Sequence, residues 1–280
     1  MKCEFCTVKG IPRAASPEKL FEHITAIVET KGARDFFIVD DLFGQYRKDS
    51  IRLCSMLKTY QESIGRKLDF TVQIRLDRAK DAELLRSMRE ANINTVAIGF
   101  ESPIDEELSA MDKCLKAEDM LEYVRVFREF GFYVHGMFIF GYPMPEKIKF
   151  EMNTDERIKH FKRFIHKSRI DTIQVLLPVP LPGTQLRKRL QSQGRVYPLE
   201  DIGWEYYDGN FPVIEPDKPM TAEEMQLAIR KIMGRFYNFR YITMFIVNIF
   251  YFPHIVFYFK NIKFGWKRWY RRWRGYIYRI

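Results

Sequence analysis

Between residues 36 and 177 short apolar runs alternate with amphipathic stretches, and this alternation limits the possible folds most. Phe36–Val39, Phe70–Arg75, Thr95–Phe100, Tyr133–Phe140 and Ile173–Leu177 are the runs. Their length and near-continuous apolarity suit strands of a parallel sheet, buried on both faces. Residues 47–63, 81–91, 117–130 and 154–168 between them read as helices. Leu84, Leu85 and Met88 share one face, and Gly131 stops the third helix. Ahead of the first run, Ser16-Pro17-Glu18 opens a further helix with Leu20, Ile24 and Ile27 facing inward. Polar residues close several strands: Asp40-Asp41, Arg75 and Glu101-Ser102. A (β/α) barrel builds its site at such strand ends.

A strand running into the N-terminal loop would make the βα period repeat six times. The expected fold is therefore α/β, a partial (β/α)6 TIM-like barrel, open rather than closed by eight strands. After the last run, Pro178-Val179-Pro180-Leu181-Pro182-Gly183-Thr184 is too proline-rich to continue a sheet. A helix is expected over 185–193. Thr221 and Glu224 then form a capping-box pattern before Met225, Ile229 and Met233. This gives three regions: a core over 1–184, a helical C-terminal extension over 185–239, and a tail over 240–280.

The chain opens on Met1-Lys2-Cys3-Glu4-Phe5-Cys6. Two thiols three apart can hold a soft metal or one face of an iron–sulfur cluster, and the same spacing serves zinc knuckles and redox pairs. Four cysteines in 280 residues are too few for a disulfide scaffold. No signal peptide opens the sequence, so a reduced, cytoplasmic setting is expected. Cys54 and Cys114 lie in apolar-flanked helical sequence and read as packing. His135 sits in a strand and reads as a satisfied structural histidine.

Taken in order, several stretches resemble the radical S-adenosylmethionine (radical SAM) superfamily, in the branch that often carries an N-terminal cobalamin-binding domain. They are Cys3-Glu4-Phe5-Cys6, Phe37–Asp41, Gln73–Arg75, Ile98–Ser102, Gly136–Gly141 and Pro180–Thr184. Gly194-Arg195 and Lys218–Thr221 resemble that branch's C-terminal extension. The resemblance covers roughly residues 1–238. Cys3 and Cys6 match the second and third cysteines of the family's Cys-x-x-x-Cys-x-x-Cys loop. The first would fall two residues upstream of Met1, so Met1 is expected to be an internal methionine.

The resemblance implies a [4Fe-4S] cluster and S-adenosylmethionine, with cobalamin on a domain outside this chain. Reductive cleavage of the sulfonium would give a 5′-deoxyadenosyl radical, used for a methyl transfer or a radical rearrangement. It places Cys3 and Cys6 on the cluster and Phe5 beside the adenine. Asp40 and Asp41 would lie near the methionine ammonium, with Glu101 and Ser102 near the ribose or methionine. Arg75 would pair with the methionine carboxylate or with one of these acids, and Gly141 and Gly183 would let backbone approach adenine or substrate. Each residue also has a plain structural reading: a helix cap for the aspartates, a salt bridge for Arg75, turns for the glycines. A flavodoxin- or ferredoxin-type electron donor and a small-molecule or lipid-like substrate complete the expectation.

The net charge is +10, and nine uncompensated Lys/Arg lie in 240–280, leaving +1 for residues 1–239. Residues 241–259 carry no charged side chain, while Asn248, Pro253 and His254 interrupt them. Such a run is long enough to approach the hydrocarbon thickness, and its proline would kink a span. Trp266-Lys267-Arg268-Trp269-Tyr270-Arg271-Arg272-Trp273-Arg274 interleaves aromatics and cations, as a headgroup layer would accept. The tail is expected to touch the inner face of the membrane without fully spanning it, the alternative being an apolar hairpin under the barrel. No nucleic-acid partner is expected, because stacking grooves lack so long an uncharged approach. Two other classes stand beside the enzyme: a degenerate barrel acting as a membrane-associated scaffold, and a zinc or electron-transfer module built on Cys3 and Cys6.

Overall fold

A computed structural model describes residues 3–8, 14–247 and 265–274. Its centre is one parallel sheet of five strands: β1 (Asp35–Phe43), β2 (Asp69–Ile74), β3 (Ile93–Glu101), β4 (Tyr133–Ile139) and β5 (Thr172–Leu176). The strands lie side by side in sequence order. Parallel neighbours in that order need crossover connections, and the helices between strands bury their apolar sides in the same core as the sheet, as in a barrel. The helices are α1 (Pro17–Lys31), α2 (Arg47–Ser63), α3 (Ala82–Glu90), α4 (Asp105–Ala110), α5 (Ala117–Glu129) and α6 (Thr154–Ser168). The expected half-barrel is thus present as an open five-stranded sheet.

Side-chain alternation shows how the sheet divides its faces. Phe70, Val72, Ile74, Val96, Ile98, Val134, Phe138, Ile173 and Val175 are buried in the main core, with Leu84, Leu85 and Met88 of α3. The alternate residues, including Thr71, Gln73, Thr95, His135, Thr172 and Gln174, line an open cleft of about 440 Å³. Phe37, Ala97 and Met137 share this lining, so the open face mixes uncharged polar and apolar side chains.

Local chemistry sets the helix ends. Ser16 Oγ accepts from Lys19 N at 3.3 Å and Gly32 closes α1 at φ 62°. The buried stripe of α1 follows Ile24 and Val28, four apart, so Ile27 is left 44% exposed instead of facing in as expected. β1 runs longer than its apolar core. Its register against β2 shifts between Ile38 and Phe43, so Asp40 and Asp41 lie inside this irregularity and not beyond the strand.

The extension begins with α7 (Gln185–Ser192), capped by Thr184, and α8 (Leu199–Ile202). It continues into α9 (Ala222–Val247), whose reciprocal Thr221–Glu224 cap forms as expected. Tyr237 on α9 takes both backbone groups of Ile173, accepting at 2.8 Å and donating at 2.6 Å. That covers part of the outer edge of β5, which would otherwise offer unpaired groups.

Residues 265–274 are helical. Trp269 is fully buried in a second apolar cluster with Ile202, Tyr206 and Phe211. Arg272 reaches the Ile202 carbonyl at 2.7 Å and Glu205 at 2.6 Å. The aromatic side of this stretch, expected at a headgroup layer, therefore packs on protein, while Lys267, Arg268, Arg271 and Arg274 stay exposed. No helix among the described residues is long and apolar enough to cross a membrane. Most of the uncharged run, residues 248–259, lies outside the described residues.

Candidate active site

Cys3 and Cys6 close one tight turn, in which Cys6 N donates to Cys3 O at 3.1 Å. Both thiols are free and half-buried. Two neighbouring soft sulfur donors at an accessible loop fit a share in an iron–sulfur cluster or a zinc ion. Among the described residues no set of three or more His, Cys, Asp or Glu is poised around one ion. Phe5, between them, stands edge-on to Tyr142 with ring centroids 6.2 Å apart.

The surroundings of Cys3 carry a second feature. Burial pushes its thiol pKa up, Lys113 pulls it down, and Glu101 and Cys6 push it up. Lys113 Nζ donates to Glu101 Oε1 at 2.7 Å and to the Gly99 carbonyl at 2.6 Å. Both side chains are mostly covered, at 11% and 16% exposure. Glu101 ends β3 with a left-handed φ of 64°, a conformation that costs a residue with a Cβ. A Cβ on Gly99 would come within 2.4 Å of Glu101 Oε1, so glycine is what lets the carboxylate fold back toward Lys113. A strained acid and a buried-side cation thus meet beside the cysteine turn, at the C-terminal end of a central strand.

Other expected site residues are placed differently. Arg75 is bound to Asp77, two residues on, through Nε at 3.1 Å and Nη2 at 2.5 Å. The Ser102 hydroxyl is wholly buried; it donates to Glu107 and accepts from Ile104 N at 3.1 Å. Asp40 is exposed, with Oδ1 accepting from Leu42 N at 3.2 Å, and Asp41 shares its strand. Gly141 has φ 79°, and a Cβ there would lie 2.8 Å from Met225 Cε, so the glycine admits α9. His135 lines the concave cleft and its Nδ1 lies 2.9 Å from Thr172 Oγ1; burial lowers its pKa.

Three residues escaped the sequence reading. Lys113 follows the short helix α4 with no local pattern to mark it. Glu107 and Arg157 form a pair at 0% and 2% exposure, with Arg157 Nε donating at 2.8 Å. Arg157 Nη2 also reaches the Tyr142 carbonyl at 3.1 Å. This pair ties α4 and α6 to the loop after β4 and, through Ser102, to the end of β3.

A parallel half-barrel with a paired-cysteine turn beside its strand ends places the chain among the α/β proteins built on partial barrels. Within that class the chain belongs to the radical SAM superfamily, whose family model matches residues 1–152. It is 31% identical over 200 residues to the hopanoid C-2 methylase of Rhodopseudomonas palustris (strain TIE-1), covering 70% of this chain and 36% of that protein. The fold matches the radical SAM methyltransferase TsrM from Kitasatospora setae, a structure with cobalamin and a [4Fe-4S] cluster bound. The TM-score is 0.58 at 17% identity, over 82% of this chain and 41% of that one. It also matches OxsB, a cobalamin-dependent radical enzyme solved with aqua-cobalamin and S-adenosylmethionine, at TM-score 0.55 and 15% identity, over 69% and 33% of the two chains. The chain spans less than half the length of the curated relatives it matches.

Proposed function

We propose that this chain is the cofactor-binding portion of a radical SAM enzyme, in which Cys3 and Cys6 give two thiolates to a [4Fe-4S] cluster. When bound, that cluster supplies one electron that splits the sulfonium of S-adenosylmethionine into methionine and a 5′-deoxyadenosyl radical. The observation that carries the reading is the Lys113–Glu101 pair set beside the Cys3–Cys6 turn. An amino-acid zwitterion needs a cation for its carboxylate and an anion for its ammonium, side by side. Lys113 and Glu101 offer that complement, each mostly withdrawn from water, where charge-assisted hydrogen bonds gain strength. Arg75 is likewise held in an ion pair, by Asp77, and is the second cation at the strand ends that could take the carboxylate. Phe5 supplies an apolar wall, and the apolar cluster behind it helps keep water from the reacting atoms.

The reaction we favour is methyl transfer, supported by the identity to a hopanoid methylase and the likeness in fold to TsrM. Cobalamin would be supplied by a domain outside this chain, and an acidic one-electron carrier would reduce the cluster. A lipid-like substrate at a membrane surface suits the same relative, the exposed cations of 265–274 giving an electrostatic contact.

Lys113→Met tests the site. In reconstituted protein with unchanged iron content, S-adenosylmethionine should bind about tenfold more weakly or worse, since a charged hydrogen-bond partner is lost. Lys113→Arg should recover part of the loss. Undiminished affinity in Lys113→Met would remove Lys113 and Glu101 from the site.

A further inference from the structure

The cysteine turn has a single internal hydrogen bond, too little to hold four residues in one conformation. Among the described residues its hydrogen bonds to the rest of the fold converge on Glu4, the residue after Cys3, while Phe5 adds its ring contact with Tyr142. Glu4 N donates to Met111 O at the end of α4 at 3.2 Å, and Leu186 N in the first turn of α7 donates to Glu4 O at 3.1 Å. The carboxylate is gripped from two more sides. Arg189 donates Nε to Oε1 at 2.6 Å and Nη2 to Oε2 at 2.9 Å, and the Tyr142 hydroxyl donates to Oε2 at 2.6 Å.

Arg189 is itself fixed. Its Nη2 also donates to Pro143 O at 2.9 Å, and α7 is seated by buried Leu186 and Leu190. A bidentate guanidinium–carboxylate fork sets both distance and orientation, which a single point charge does not. Charge adds a second reason. Ligating thiolates would place two negative charges around an existing carboxylate, and Arg189 offsets one of the three. The pair is 18% and 15% exposed, so solvent screens it only partly.

We propose that Arg189, assisted by Tyr142, is a positioning residue for the cysteine loop: it clamps Glu4 so that Cys3 and Cys6 keep one orientation, and it balances charge there. The inference rests on the assignment of Cys3 and Cys6 as cluster ligands. It makes α7 part of the cofactor site, although α7 lies outside residues 1–152 that match the family model.

The test compares the full chain with Glu4→Gln, Arg189→Met, the double variant of these two, Arg189→Lys and Tyr142→Phe by two readouts. The first is amide hydrogen exchange of residues 3–6 in the metal-free protein. Glu4→Gln and Arg189→Met should exchange about tenfold faster, as expected for loss of a charged hydrogen-bond partner, while exchange in β2–β4 stays unchanged. Tyr142→Phe should show a smaller rise and Arg189→Lys a partial rescue. The second readout is the cluster midpoint potential after anaerobic reconstitution. Glu4→Gln should raise it and Arg189→Met lower it, with the double variant between them; a purely structural contact would not give opposite signs. Exchange within twofold of wild type in both single variants overturns the proposal, as do potentials that move the same way. If the clamp controls exchange but wild-type protein takes up no iron, the positioning role stands and the cluster assignment falls.

Discussion

Arg157 and Glu107 form the most deeply buried ion pair among the described residues. Both are withdrawn from water, and the Tyr142 carbonyl and Ser102 hydroxyl satisfy part of what remains. Such a pair need not stabilise much relative to apolar replacements, but removing one partner strands a buried charge. Arg157→Met should therefore lower unfolding free energy by about 3–5 kcal/mol in urea titration, and adding Glu107→Leu should restore much of it. A loss below about 1 kcal/mol would show that the pair is hydrated in solution. At this scale the sequence was only partly readable. Cys3 and Cys6 stand out by spacing, and Glu101 by its place at a strand end. Arg75 had the right charge and position, yet Asp77 two residues away captures it, a choice of local rotamer that no pattern announces. Glu4 and Arg189 are 185 residues apart, and only the packing of α7 against the loop brings them together.

Strands and helices were far easier to read. The five apolar runs became β1 to β5, and the Thr221–Glu224 capping box and the glycine stops sit where their chemistry requires. Misreadings fall where an element bends or is short. The irregularity in β1 absorbs Asp40 and Asp41, and the six residues of α4 are too few to show periodicity. Gly141 belongs to this scale because its missing side chain sets how α9 approaches the loop after β4. Alanine there combines an unfavourable positive φ with a Cβ 2.8 Å from Met225 Cε, the flexible end of its side chain. Gly141→Ala should cost about 1–3 kcal/mol of stability, measured by denaturant unfolding. A neutral substitution would mean that α9 is not seated there in solution.

For the whole molecule, sequential parallel strands leave one face to helices and the other to an open cleft of mixed polar and apolar lining. Charge distribution alone pointed the tail outward. The buried Trp269 shows part of it turned inward, its indole packed in the apolar cluster with Ile202, Tyr206 and Phe211. Sequence could not separate the two, since the same aromatic–cation interleaving serves a protein groove and a lipid surface. What unites the molecule is the convergence of α4, α7 and the ends of β3 and β4 on the cysteine turn. The decisive measurement is made on the full-length protein, including any residues encoded in frame upstream of Met1. It is reconstituted with iron and sulfide without oxygen, then reduced with S-adenosylmethionine present. The account predicts about four irons per chain and release of 5′-deoxyadenosine, both lost in Cys3→Ala. A colourless protein that takes up zinc, or no metal, and leaves S-adenosylmethionine intact would contradict it.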